Sequence, residues 1–432
     1  MRPTLAALSA ALLTSFAAGS VNAGITVLLA DRANNKIWRL TDVSGDGVIQ
    51  NDEIFVWYDE TNAAGTGLAD NLNAFFVSPD GTVIGGDQVL RQYYRFGDNN
   101  NDGDALDAGE SRMIADVNNA SGVSTTFPTG GAFAANGEVL VVNAGNGFGC
   151  DAVYRCRDTD NDGLWMSQDE MTKVVADSPS AFVVCNGSYS PQELVLVGDV
   201  GYIRNSFSGG HGVFRFMDLD GNGRADDSAA EFRQWYTGAS AGFALEPDLA
   251  RPGSLYYHTL TSPAIDQIYR LTDLPDGANP PDGDADDAGE AELVFSTAET
   301  GFTSVDILSL PGGDVLFSDN SGKRIIRLRD QDCDGKFLAA NERSDFLPSG
   351  ITIIGDVRQI VLLPTPPECG TSDYNGDGDF GTDADIEAFF RCLGGNCCGV
   401  AFPYGSDFNA DGDYGTDQDI ESFFRVLGGG AC

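Results

Sequence analysis

The chain has 432 residues, 42% of them hydrophobic, with 65 acidic against 25 basic side chains and a formal charge of −40. The hydrophobic content is enough for a proper core and excludes a disordered acidic tail, while the charge excludes a phosphate backbone or an anionic membrane as the main partner, by repulsion. The 54 glycines and the short runs of Val, Ile, Phe and Tyr favour strands joined by tight turns over helices.

In chain order, residues 1–23 read as an export signal: Arg2 precedes a run of small and apolar residues ending in Val21-Asn22-Ala23, a small-x-small cleavage pattern. The mature protein is expected to begin at Gly24 and to be secreted or held at the cell surface. No later stretch holds the roughly eighteen consecutive apolar residues of a membrane-spanning helix. Nine cysteines in an exported chain suggest disulfides whose connectivity stays open, with at least one thiol unpaired or paired between molecules.

From residue 24 to 363 one unit recurs. An apolar or aromatic strand carries an arginine, and three residues later an acidic loop begins: KIWRLTD, QYYRFGD, AVYRCRD, GVFRFMD, QIYRLTD and RIIRLRD. The arginines are Arg39, Arg95, Arg155, Arg215, Arg270 and Arg327, spaced by 56, 60, 60, 55 and 57 residues. Around each lie further strands, as in NAFFVSPDG, TVIGGD, QYYRFGD and SRMIADV, which is the content of one four-stranded propeller blade. No unit buries both faces alone, so the units must stack. The first strand (ITVLLAD) begins partway through a unit and the last (RQIVLLP) follows the sixth loop, so the ends can complete one blade and close a ring without an open edge. The fold class predicted is therefore mainly β, a six-bladed β-propeller, with a β-sandwich or a solenoid as the competing arrangements. The six arginines are expected to form structural ion pairs within or between blades.

These six loops and two more in the tail together carry 40 of the 65 acidic residues. The first, Asp42 to Glu53, has oxygen donors Asp42, Ser44 and Asp46, glycine at position 6, the Val48 carbonyl at position 7 and Glu53 at position 12, the order of an EF-hand calcium loop. The second, third and sixth place the closing acid one residue later: Asp98, Asn100, Asp102 and Glu110; Asp158, Asp160, Asp162 and Glu170; Asp330, Asp332, Asp334 and Glu342. The fourth, Asp218, Asp220 and Asn222, reaches Glu231 two residues late. In the fifth, Asp282, Asp284 and Asp287 lead to Glu290, and an insertion containing Pro280-Pro281 displaces the front, so this loop is the weakest. The back halves are expected to lead into strands. Hard oxygen donors alternating along a turn suit Ca²⁺, and its expected role is structural.

Residues 364–371 form a proline-rich linker, and 372–432 hold a shorter repeat: DYNGDGDFGTDADIEAFFRCLGG and DFNADGDYGTDQDIESFFRVLGG. Asp373, Asn375, Asp377, Asp379 and Asp385 form one loop and Asp407, Asn409, Asp411, Asp413 and Asp419 the other. Thr382 and Thr416 can cap short helices whose apolar stripes, Ile386, Phe389, Phe390 and Leu393 against Ile420, Phe423, Phe424 and Leu427, should pack together. This duplicated Asp-x-Asn-x-Asp-Gly loop with a following helix resembles a bacterial dockerin, more narrowly the GC-type tail, here ending Gly-Gly-Gly-Ala-Cys432. The resemblance implies calcium-dependent folding and docking to a cohesin-like or cell-surface partner. The six-unit part resembles, in architecture, secreted six-bladed propellers of the broad group that includes NHL-type and sugar-dehydrogenase-like domains.

Only two histidines, His211 and His258, are present, and neither lies in a nucleophile or metal motif. Two functional readings follow. The first, preferred on these grounds, is a non-catalytic binding or scaffold protein retained outside the cell by its tail. The alternative is a hydrolase or oxidoreductase acting on sugars or lactones at the central channel, with Asn73 and His211 as axial candidates. A cluster of oxygen ligands on the axis, separate from the peripheral loops, would favour the enzyme, and an axis filled with apolar side chains the scaffold.

Overall fold

The computed structural model describes residues 25–430 except 45, 69–71, 145–150, 176–190, 207–210, 226–227, 239–241, 262–264, 276–281, 298–303, 311, 365–369, 376–378, 395–404, 410 and 412–413. Its strands form six antiparallel sheets of four. Blade 1 consists of Ile360–Leu362, Thr26–Asp31, Lys36–Thr41 and Ile54–Tyr58, from inside outward, and blade 2 of Leu72–Val77, Val83–Asp87, Gln92–Phe96 and Ser111–Ala115. Blade 3 is Pro128–Phe133, Val139–Asn143, Ala152–Cys156 and Met171–Val175; blade 4 is Pro191–Val197, Val200–Asn205, Gly212–Phe216 and Phe232–Thr237. Blade 5 is Leu245–Pro247, Ser254–Thr261, Ile265–Thr272 and Ala291–Ser296; blade 6 is Ser304–Ser309, Val315–Asp319, Arg324–Leu328 and Arg343–Leu347.

The inner strands touch one another in blade order, and the last meets the first, so the six sheets surround one axis. The ring closes as the complementary ends implied: Leu29 pairs with Ile360 and Val27 with Leu362, which puts the C-terminal strand innermost in blade 1. The fold is a six-bladed propeller. Its core is divided by interface. One apolar cluster lies between each pair of neighbouring blades, including the cluster between blades 6 and 1 around Val27, Trp38, Leu308 and Phe346. Second strands such as VIGGD, VLVVN and VLFSD are buried at every position because neighbouring blades cover both faces.

In the tail, helix α1 (Asp383–Leu393) and helix α2 (Asp417–Leu427) start at Thr382 and Thr416, each in a capping box closed by Asp385 or Asp419. Phe389 and Phe423 stack with centroids 4.0 Å apart, at the centre of a cluster with Tyr374, Ala388 and Phe408. The predicted stripes meet through these residues, whereas Phe390 and Phe424 stay about half exposed. Cys156 is a free, buried thiol, and Cys333 and Cys392 are disulfide-bonded.

Candidate functional site

Two regions concentrate the chemistry: acidic loops around the rim and a polar cavity on the axis. They lie at opposite ends of the blades. In blade 2, Val77 faces Val83, which faces Phe96, so the loop after Phe96 leaves from that end, while Asn73 and Gln88 lie by the opposite end, where Leu72 faces Asp87.

The rim loops share one internal bonding scheme. The first aspartate of each takes the N–H of the sixth-position glycine: Asp42 from Gly47, Asp98 from Gly103, Asp158 from Gly163, Asp218 from Gly223 and Asp330 from Gly335, all between 2.7 and 2.9 Å. The closing glutamates Glu53, Glu110, Glu170, Glu231, Glu290 and Glu342 are buried and fold back on the loop. Glu53, for instance, accepts from Ser44 N at 2.7 Å and Gln50 N at 2.9 Å, and Glu342 from Gln331 N at 3.1 Å and Ala339 N at 2.8 Å. As expected, each described back half leads into a strand: the short 3₁₀ turns Asn51–Glu53 and Ala340–Glu342 run directly into Ile54 and Arg343.

Carboxylates converge in three of these loops. Among the described residues, oxygens of Asp158, Asp160 and Asp162, of Asp218, Asp220 and Glu231, and of Asp330, Asp332 and Asp334 lie within 4.8 Å of one another, groups that could hold a metal ion. The first two loops form no such triad because Ser44 and Asn100 replace the middle carboxylate, and the Asn100 amide donates to Asp102 at 3.1 Å and Asp107 at 2.6 Å. In the fifth loop Asp282 and Asp284 adjoin, with Asp284 N donating to Asp282 at 3.2 Å. Its front partner is Asp273, the last residue of QIYRLTD, which was not among the expected ligands. Asp273 is raised by burial and by its neighbours Glu290, Asp282 and Asp284, although it accepts the Gly283 N–H. It thus stands where Asp42 stands in the first loop, and the insertion moved it nine residues away from Asp282 in the sequence. In the tail, Asp385 and Asp419 are fully buried and accept loop and cap N–H groups, Asp385 from Tyr374 at 2.8 Å and Thr382 at 2.8 Å. Burial pushes the Asp385 carboxyl up, but the N–H and hydroxyl donors of Thr382, with Asn375 and Tyr374, bring it below its ordinary value. Asp407 accepts from Asp411 N at 3.0 Å, and Asn409 donates to Asp411 at 2.8 Å. Asp377 and Asp413 lie outside the described residues.

Each rim loop is also locked to the preceding blade. The eighth-position N–H donates to a carbonyl of that blade's outermost strand in all six cases: Ile49 to Phe346, Ala105 to Trp57, Trp165 to Ile114, Ala225 to Val174, Ala285 to Trp235 and Phe337 to Val294, at 2.6–2.9 Å. The six side chains are buried in the clusters between those blades. Full burial of a large apolar side chain contributes about 1.5–3 kcal/mol. An arginine from the preceding blade grips the same turn: Arg39 donates to Gly103 O, Arg112 to Asp162 O at 3.0 Å, Arg155 to Gly223 O at 3.2 Å, Arg233 to Gly283 O and Arg270 to Gly335 O at 2.8 Å. Arg327 Nη1 lies against Gly47. The ion pairs expected of the repeated arginines hold for Arg155 with Glu138, Arg270 with Asp248 and Arg327 with Asp314. The more regular partner is a backbone carbonyl, and blades 2 and 4 supply it from the fourth strand, through Arg112 and Arg233. Glycine is required at Gly103, where φ is +98° and a Cβ would collide with the Arg39 guanidinium.

On the axis, a cavity of about 280 Å³ is lined from five blades by Arg32, Asn73, Gln88, Phe127, Thr129, Gln192, Glu193, Phe243, Arg358 and Gln359. Asn73 lines it as anticipated; His211 is not among the lining residues. Thr129 is 2% and Gln359 8% exposed, yet Thr129 Oγ1 and Gln359 Oε1 have no hydrogen-bond partner, an unfavourable state for buried polar atoms unless a ligand or water completes them. Glu193 retains some surface on the channel, but the protein packed around it, then the Asp306 and Glu246 carboxyls, raise it well above the ordinary range. Glu246 is raised by burial and Asp306, and Asp306 rises to about 7 through burial despite N–H donation from Ile360 and Ile307. Among the described residues these three do not form a close oxygen cluster of the rim-loop kind.

No protein-family model matches the chain, and no curated protein matches it. Solved structures do. A chain of a nidogen/laminin complex aligns at 13% identity over 79% of this chain and 98% of its own, with a TM-score of 0.50. A PQQ-bound aldose sugar dehydrogenase from Streptomyces coelicolor aligns at 13% identity over 67% and 84%, TM-score 0.43, and a gluconolactonase from Xanthomonas campestris at 14% over 65% and 76%, TM-score 0.41. At these identities the likeness speaks to the fold alone.

Proposed function

We propose that the chain is an exported propeller enzyme, a hydrolase or oxidoreductase acting on a small sugar or lactone at the mouth of its central channel. The polar axis carries this reading: the cavity wall offers two guanidiniums, four amides, a hydroxyl and a carboxyl, where a scaffold could have sealed the axis with apolar side chains. Glu193 is the one carboxyl among the lining residues, and burial with the neighbouring Asp306 and Glu246 raises it above the ordinary carboxyl range, the direction that general acid–base work calls for. The test is a panel of sugars and lactones offered to the mature protein, followed by proton release and by reduction of an artificial electron acceptor. Turnover that falls about a hundredfold or more in Glu193→Gln, with unfolding temperature preserved, is the expected result. A folded protein silent on the whole panel would return the reading to a non-catalytic binding or scaffold protein.

The rim loops, in this reading, hold Ca²⁺ as a structural ion. The support is the donor set, all hard oxygen with no thiol or imidazole, and the carboxylate oxygens that converge within 4.8 Å of one another in three of the loops. The tail serves docking outside the cell, to a cohesin-like or surface partner. Phe380, Phe390, Tyr414 and Phe424, each 46–65% exposed, support it. Deleting residues 364–432 should release the protein from the cell surface while leaving channel activity intact.

A further inference from the structure

We infer that the axial cavity takes an anionic, hydroxyl-rich ligand of the sugar-acid class, an inference that rests on the cavity being the substrate site. The charge of the wall is the first ground. In a chain of charge −40, the charged residues lining this cavity are two arginines and one carboxyl, Glu193, which burial and the neighbouring Asp306 and Glu246 carboxyls push upward. Arg32 and Arg358 converge on a single oxygen of Asp356, through their Nε atoms, at 3.3 and 2.9 Å. One carboxylate thus faces two guanidiniums. Asp356 is held by its own backbone, its N–H donating to Asp31 at 2.9 Å, so the pair is fixed rather than swinging in solvent. Because Arg358 binds Asp356 through Nε, its Nη edge is the side available to a second carboxylate, in the fork geometry that guanidinium offers planar anions.

The second ground is independent of charge. Thr129 Oγ1, from blade 3, and Gln359 Oε1, from blade 1, are buried, unpartnered and part of the same wall. A hydroxyl both donates and accepts, so adjacent hydroxyls of a polyol can satisfy a threonine oxygen and a glutamine carbonyl together. Phe127 and Phe243 add apolar faces for the C–H side of a carbon chain or ring. The cavity volume, about 280 Å³, is at the small end for ligand sites and suits one monosaccharide-sized molecule rather than an oligosaccharide.

The experiment is calorimetric titration of the full mature chain, in calcium, with D-glucuronate and D-gluconate and with their neutral counterparts D-glucose and sorbitol. Each acid is expected to bind at least tenfold more tightly than its neutral counterpart. That preference should collapse in Arg358→Gln and survive in Arg358→Lys, while Thr129→Val weakens acid and neutral ligands by the same factor. Equal or tighter binding of the neutral sugars, or a preference untouched by Arg358→Gln, overturns the sugar-acid inference and leaves the axial site standing. If no acid and no neutral sugar binds a protein whose circular dichroism and unfolding are native, both the inference and the site reading fail.

Discussion

The same acidic loop occurs in the propeller and in the tail, but its eighth residue has opposite fates. In the propeller Ile49, Ala105, Trp165, Ala225, Ala285 and Phe337 are inserted beneath the neighbouring blade, at most 8% exposed. In the tail the corresponding residues, Phe380 and Tyr414, are 65% and 49% exposed. The difference follows from what comes after the loop. A strand exit continues the blade edge-on to its neighbour, so the turn is pressed against the next sheet. A helix exit turns the closing acid into a helix cap and spends the apolar contact on helix pairing, through Phe389 and Phe423, leaving the turn outside. One acidic turn can therefore serve as mortar between repeats or as an open surface, according to the element that follows it.

That contrast can be broken in graded steps. Chelation should have the largest effect: if six rim loops hold Ca²⁺, its removal lowers the unfolding temperature of the propeller by more than any single substitution, since each site contributes RT ln(1 + [L]/Kd), about 2.7 kcal/mol at a hundredfold excess over Kd. Calorimetry with and without chelator measures it. Trp165→Ala comes next, at about 3–5 kcal/mol by denaturant titration, because it empties the cluster between blades 2 and 3. Arg270→Gln should cost about 3–5 kcal/mol as an upper range, since it strands the buried Asp248 and frees Gly335 O. Arg39→Gln, which loses a carbonyl contact and the stacking of the guanidinium on Phe55, should cost only about 0.5–1.5 kcal/mol.

Smaller still, and dependent on pH, is Glu246→Gln. The Glu246 carboxyl is raised in the fold by burial and by Asp306, so its ionisation opposes folding. Below its ordinary value both states are protonated and the substitution should be neutral; as pH rises above that value the wild type loses stability that the glutamine variant keeps. The variant should unfold at higher temperature at pH 8 and at the same temperature near pH 4. Phe380→Ser in the tail closes the series, with an expected change within about 0.5 kcal/mol, because nothing covers that side chain.

Much of the ring could be read from the sequence. The arginine-bearing strand and its acidic loop repeat at nearly constant spacing, and strand periodicity with complementary ends implied closure, which Leu29 and Ile360 fulfil. The eighth loop residue was not singled out, since its burial under another blade is a long-range contact that no local pattern encodes. The axis was hidden for a different reason. Thr129, Glu193 and Gln359 sit within or beside ordinary inner-strand segments, and only the sixfold arrangement brings them together. Asp273 was obscured by an insertion that the backbone loops out without moving Gly283 or Ala285 from their places.

The innermost strand of blade 1 has a temporal consequence. A chain is made amino-terminus first, and here the opening strands must wait for Ile360–Leu362 before their sheet is complete. Gly355 donates to Asp31 across 324 residues of sequence, so blade 1 stays edge-exposed until almost the whole propeller has been made. Until then the half-made ring offers a free strand edge to any other chain in transit. Orderly folding therefore depends on the last segment of the propeller arriving promptly, and a nascent chain cut short before Ile360 is the form of this protein most prone to aggregate.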